Sequence, residues 1–114
     1  MMTKREESKL IELLDLLKKM YRIINSNYYS EMAYALKNIK KIINYLVEIL
    51  EDETEDFKVV ITEIKKAYEA MFIAKTGISE FSIWNEDYNV MYKENREYEK
   101  VEKKIRKILG IGRL

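Results

Sequence analysis

The side chains best placed to do chemistry here are carboxylates, lysines, tyrosines and hydroxyls, because the 114-residue chain contains no Cys and no His. Without His, the commonest general base, metal ligand and pH switch are missing. Without Cys there is no thiolate zinc site, no disulfide framework and no cysteine nucleophile. Asp52, Thr54, Asp56 and Glu63 stand at the first, third, fifth and twelfth positions of a calcium-loop spacing. Such a loop needs a glycine at its sixth position, where this chain has Phe57, and from there on the segment reads as helix. A di-metal centre in a bundle calls for inward Glu-x-x-His pairs. Glu48 and Glu51 are spaced for half of a magnesium site between facing helices, but the next helix offers only Glu63 and Glu69. Three scattered glycines make no phosphate loop. A serine nucleophile has only lysine available as its base. The inventory argues against an enzyme, and no metal or cofactor is expected.

What remains is surface. With Leu36, Ile39, Ile43 and Leu46 taken as an inner stripe, Tyr34, Asn38, Lys41 and Tyr45 line up on the opposite side, with Lys37 beside them. Large amphipathic rings are enriched where proteins dock. The ordinary alternative is that both rings lie flat on neighbouring helices. Further on, Tyr92, Arg96, Lys100, Lys103 and Lys107 form a second outer row, and residues 100–114 hold six bases against one acid. Cations near a helix C-terminus also simply complement its dipole. Glu48 to Asp56 holds six acids and no base, which reads as a solvated capping loop or as an imitation of a phosphate run. Trp84, the only tryptophan, is expected to plug the end of the core with Phe81 and Ile83. Its alternative role is an exposed anchor for a partner.

These residues have to be positioned by helices. Leu10, Leu13, Leu14, Leu17, Met20, Tyr21 and Ile24 recur at the spacing of one buried helical face, so a helix is expected from about Thr3 to Ile24. Asn25-Ser26-Asn27 favours a turn. A second helix, about Tyr28 to Leu50, is expected to bury Met32, Leu36, Ile39, Ile43, Leu46 and Leu50. Asp52 with Glu55, or Thr54, is a candidate cap for a third helix. That helix carries Phe57, Val60, Ile61, Ile64, Tyr68, Met71 and Phe72 on one side, and Gly77 is its natural stop. Residues 78–85 break the pattern and read as an irregular or helical-turn segment. Asn85 is expected to cap a last helix reaching Leu109 before Gly110, with a narrow seam of Met91, Tyr98, Val101, Ile105 and Ile108. Glu99/Lys103 and Glu102/Arg106 are acid-before-base pairs at i,i+4.

The predicted fold class is all-α, an antiparallel bundle of about four helices forming a single domain over residues 1–114. The charged start is wrong for a signal peptide. The longest apolar-rich run, Ile42 to Leu50, is too short to span a bilayer. A cytoplasmic protein without membrane attachment is therefore expected. In size, helix number and basic tail the chain resembles small helical immunity proteins and inhibitors of mobile elements, although no motif ties it to either. The leading expectation is a non-catalytic protein that binds a protein partner through Tyr34, Lys37, Lys41, Tyr45, Trp84, Tyr92, Arg96, Lys100, Lys103 and Lys107. The narrow last seam also suggests a homodimer through that helix. The runner-up is nucleic-acid association through the basic outer faces of the second and last helices, against which stands a net charge of only +1.

Overall fold

The first and last helices of this chain start on short polar side chains that take up free backbone N–H groups. The structure is a computed structural model describing residues 2–27, 32–52, 55–73, 78 and 81–112. Helix α1, Lys4–Ser26, opens on a reciprocal capping box. The Glu6 N–H donates to the Thr3 hydroxyl (3.1 Å), and the Thr3 N–H donates to Glu6 Oε1 (2.9 Å). At its far end Asn27 donates from its side chain to the Ile23 carbonyl (2.8 Å). Helix α2 is Ala33–Asp52 and helix α3 is Phe57–Ile73. Asp52 is thus the last residue of α2 and cannot cap α3. The first turn of α3 closes instead on Asp56, whose carbonyl accepts from the Val60 N–H (3.1 Å). Thr54, Gly77 and the expected start of α2 at Tyr28 lie outside the described residues.

Helix α4 is Tyr88–Leu109, capped by Asp87 rather than by Asn85. The Asp87 carboxylate accepts from the Asn89 and Val90 N–H groups (2.9 and 3.3 Å). Asn85 builds the turn leading into that cap, accepting from the Asp87 N–H (2.9 Å). At the other end Gly110 takes φ +71°, a left-handed position that favours glycine. There the Ile111 N–H returns to the Arg106 carbonyl (2.9 Å) and the Gly110 N–H to that of Lys107 (3.3 Å), closing a Schellman motif.

The four helices pack in a ring. Helix α1 lies against α2 and α4, and α3 lies against the same two. Lys19 reaches Glu97 (3.6 Å) while Lys9 shares a groove with Lys107, so α1 and α4 run antiparallel. Buried side chains from all four helices form one cluster, with Leu13, Leu17, Met20, Ile39, Leu46, Ile64, Tyr68 and Ile105 fully enclosed. The expected buried faces of α1 and α3 are present, with Leu14, Tyr21, Phe57, Ile61 and Phe72 at their half-buried margins. On α2 the buried face is Ala35, Leu36, Ile39, Ile42, Leu46 and Ile49. That is rotated by roughly 45° from the expected stripe, at about 100° per residue. Ile43 and Leu50 become flank positions because α2 packs on α1 and α3 at once. The seam of α4 buries Tyr98, Val101, Ile105 and Leu109, with Ile108 at its edge. Among the described residues there is no strand, and no helix is long and apolar enough to cross a membrane.

Between α3 and α4 the core includes one polar network. The Tyr68 hydroxyl donates to Glu102 Oε2 (2.7 Å), and Arg106 Nε lies 2.8 Å from Glu102 Oε1. Of the two expected i,i+4 ion pairs this is the one that closes; Glu99 and Lys103 stay exposed.

Candidate functional site

The segment entering α4 decides where its aromatic residues go. Residues 81–85 carry no regular structure, and burial alternates along them: Phe81 and Ile83 are buried, Ser82 and Trp84 exposed. Backbone that alternates in this way can turn only every second side chain to the core. Phe81 packs on Tyr98 with ring centroids 4.9 Å apart and planes tilted by 57°, both rings buried. Trp84 does not plug the end of the core, against expectation, and stands 74 % exposed.

Asn95 fixes this segment. Its side-chain carbonyl accepts from the Ile83 N–H, and its amide donates to the Ile83 carbonyl, both at 2.8 Å. The same amide donates to the Met91 carbonyl within α4 (2.9 Å). This two-bond clamp holds Ile83, and with it the neighbouring Trp84, alongside the first turns of α4. The expectations from sequence omitted Asn95; the available signal was an amide three residues before Tyr98, on the flank of an apolar seam. Asn95→Ala is expected to cost about 1–2 kcal/mol by orphaning the Ile83 backbone groups. Urea denaturation should show that loss, and acrylamide quenching of Trp84 should rise.

On the helix itself Tyr88 and Tyr92 are 69 % and 54 % exposed, one turn apart, followed by Arg96. The Arg96 guanidinium sits 5.8 Å from the Tyr92 ring centroid, within cation–π range. Tyr88 was also missed from sequence, although it stands four residues before Tyr92. Lys93, Arg96, Lys100, Lys103 and Lys107 are all exposed on the side of α4 away from its seam, with Glu99 the one acid among them. The expected row of Tyr92, Arg96, Lys100, Lys103 and Lys107 thus forms a continuous outer face, with Tyr88 one turn before it and the exposed Trp84 in the segment leading into the helix.

The second expected row does not hold together in the same way. Tyr34 is 52 % exposed, and Lys37 and Lys41 are also exposed. Tyr45 is not on an outer face. The rotation of α2 brings it to the α2–α3 groove, half-buried against the core. Burial first, then the carboxylates of Glu55 and Glu63, push its hydroxyl above the ordinary tyrosine value. That groove, lined by Asn38, Lys41, Ile42, Tyr45, Glu63, Ile64 and Ala67, encloses about 220 Å³. Small-molecule sites usually span roughly 300–1,000 Å³.

Because α2 and α4 occupy diagonal corners of the ring, their outer faces point to opposite sides. A flat partner touches the Tyr34/Lys37/Lys41 row or the α4 row, not both. Glu48, Glu51, Asp52, Glu55 and Asp56 lie exposed at the α2–α3 corner. Among the described residues no three acidic side chains converge as a metal site. Compared with known proteins, the chain matches no family model, and neither a curated protein nor a solved structure shows significant similarity to it.

Proposed function

We propose that this chain is a non-catalytic interaction protein that docks on a protein partner through the outer face of α4. The observation that carries the reading is the exposure of Tyr88 and Tyr92 one turn apart ahead of Arg96, together with the exposed Trp84 in the segment that Asn95 clamps to α4. Tryptophan, tyrosine and arginine are the residue types that dominate binding energy at protein interfaces. Covering a large apolar side chain gains about 1.5–3 kcal/mol. Three such rings left in water, with a fourth residue stacked on the last, are a sizeable reserve of binding energy. Tyr34, Lys37 and Lys41 form a separate and smaller surface on the opposite corner. Tyr45, turned into the α2–α3 groove, has little part in it.

A tagged pull-down with mass spectrometry, run with and without nuclease, tests the reading. Support is a nuclease-resistant protein captured by the native chain and lost by a Trp84→Ala, Tyr92→Ala double variant. Capture unaffected by the double variant, or turnover of a nucleotide with no partner, refutes it.

One observation favours polynucleotide binding as a second reading, namely five cations against one acid on the same face. The basic residues of α2 do not join them, so the contact is confined to Arg96, Lys100, Lys103, Lys107 and Lys93.

A homodimer through α4 has to use this face as well, since the seam is covered by α1 and α3. Apposing two copies in parallel sets cations against cations, whereas an antiparallel two-fold pairing sets the rings of each copy on the cations of the other. Light scattering at micromolar concentration tests the homodimer: about twice the monomer mass supports it, and the monomer mass overturns it.

A further inference from the structure

Within the reading just given, on which this inference rests, the arrangement of the α4 face says what kind of segment it takes. Aromatic and cationic residues are segregated along it, not interleaved. Trp84, Tyr88 and Tyr92 occupy the N-terminal end, and Lys93, Arg96, Lys100, Lys103 and Lys107 the remainder. From Tyr88 to Lys107 the face runs about 28 Å, at about 1.5 Å per residue. A single-stranded nucleic acid offers a base and a phosphate at every step, and its binders mix stacking rings with cations along the whole track. Here the rings end where the cation row begins.

A protein segment with one apolar half and one acidic half matches this order. We propose that the outer face of α4 binds an acidic amphipathic helix of a protein partner, antiparallel to α4. Its N-terminal carboxylates face Arg96, Lys100, Lys103 and Lys107, and its C-terminal apolar residues cover Trp84, Tyr88 and Tyr92. Direction follows from electrostatics. Acids belong at the N-terminal turns of a helix, and antiparallel neighbours oppose their dipoles favourably. The alternative, acids at the C-terminal end of a parallel helix, sets both dipole terms against the complex.

The test uses a 20-residue peptide with Glu and Asp in its first half and Leu and Phe in its second, a block-reversed peptide, and a 20-nucleotide oligothymidylate. Trp84, as the sole tryptophan, reports binding by its fluorescence, and calorimetry serves the variants. The forward peptide is expected to bind at least about fivefold tighter than the reversed one, and about tenfold weaker once salt is raised past the range of screening. Lys103→Glu with Lys107→Glu should weaken it at least about tenfold; Gln at both positions, which leaves the helix dipole less disturbed, should weaken it by a smaller factor. Equal binding of both peptides, indifference to these substitutions, or tighter binding of the oligothymidylate overturns the proposal. The cellular partner separates this failure from failure of the broader reading. If its capture survives Lys103→Glu with Lys107→Glu but not Trp84→Ala with Tyr92→Ala, α4 docks a protein that is not an acidic helix. If it survives both, α4 is not the docking face.

Discussion

Tyr68→Ala is expected to remove about 4 kcal/mol of folding stability, the usual cost of emptying a buried aromatic site. Tyr68 is fully enclosed, packs on Phe72 with centroids 5.3 Å apart, and donates to Glu102. Domains of this size have stabilities of only about 5–15 kcal/mol, so the variant should sit near its unfolding threshold. Tyr68→Phe separates the ring from the hydroxyl. It keeps the packing and leaves Glu102 with Arg106, so the loss should be about 1 kcal/mol near neutral pH. The hydroxyl has a further signature. Burial first, then the charge of Glu102 and the bond to it, hold its ionisation far above the ordinary 10.0. In the unfolded chain the group loses its proton near 10.0, while in the folded chain it keeps it. The folded state then binds more protons, so this contribution is fully present below pH 10 and falls above it, by about 1.4 kcal/mol per pH unit. Tyr68→Phe lacks that slope. Urea denaturation at pH 9 and pH 11 should show the native protein ahead of the variant at the lower value and level with it at the higher. Parallel losses in both would show that the hydroxyl ionises as freely inside the fold as outside.

Most of the helical framework was legible because it depends on local rules. The start of α1 near Thr3, its i, i+3, i+4 stripe and the Leu109–Gly110 ending are all set by residues within one turn of each other. Errors arose where a neighbour in space decided. The stripe on α2 was read as facing one partner, but the helix touches α1 and α3 together, which turned Tyr45 into a groove. Asp87 displaced Asn85 as cap because Asn85 is occupied in bonding the Asp87 N–H. Asn95 was overlooked since its partners lie twelve residues back, on Ile83. The size and apolarity of Trp84 favour burial, but in the irregular segment 81–85 Phe81 and Ile83 take the inward positions and leave Trp84 outside. The outer face of α4 was recovered nearly whole because exposure opposite a well-defined seam follows from helical geometry alone.

Trp84→Ala and Tyr92→Ala should each weaken the complex with the protein partner by at least about tenfold, and the pair by about a hundredfold, near 2.7 kcal/mol. Each ring is mostly in water in the free chain, so truncation removes binding surface without opening a cavity, and thermal unfolding should shift little. Arg96→Ala belongs with them. Its guanidinium is stacked on Tyr92, and its loss removes a cation and also loosens that ring. The effects of Arg96 and Tyr92 should therefore fall short of additive, whereas Trp84, outside the helix and positioned by the Asn95 clamp, should combine with Tyr92 nearly additively. Asn95→Ala supplies a separate check, since it touches no partner. It should weaken binding through Trp84 alone, and so have no further effect in a Trp84→Ala background. The same measurements on Tyr34→Ala with Lys41→Ala should leave affinity unchanged, because that corner lies diagonally across the bundle. A loss of affinity from Tyr34 and Lys41 equal to that from Trp84 and Tyr92 would place the partner on α2 instead.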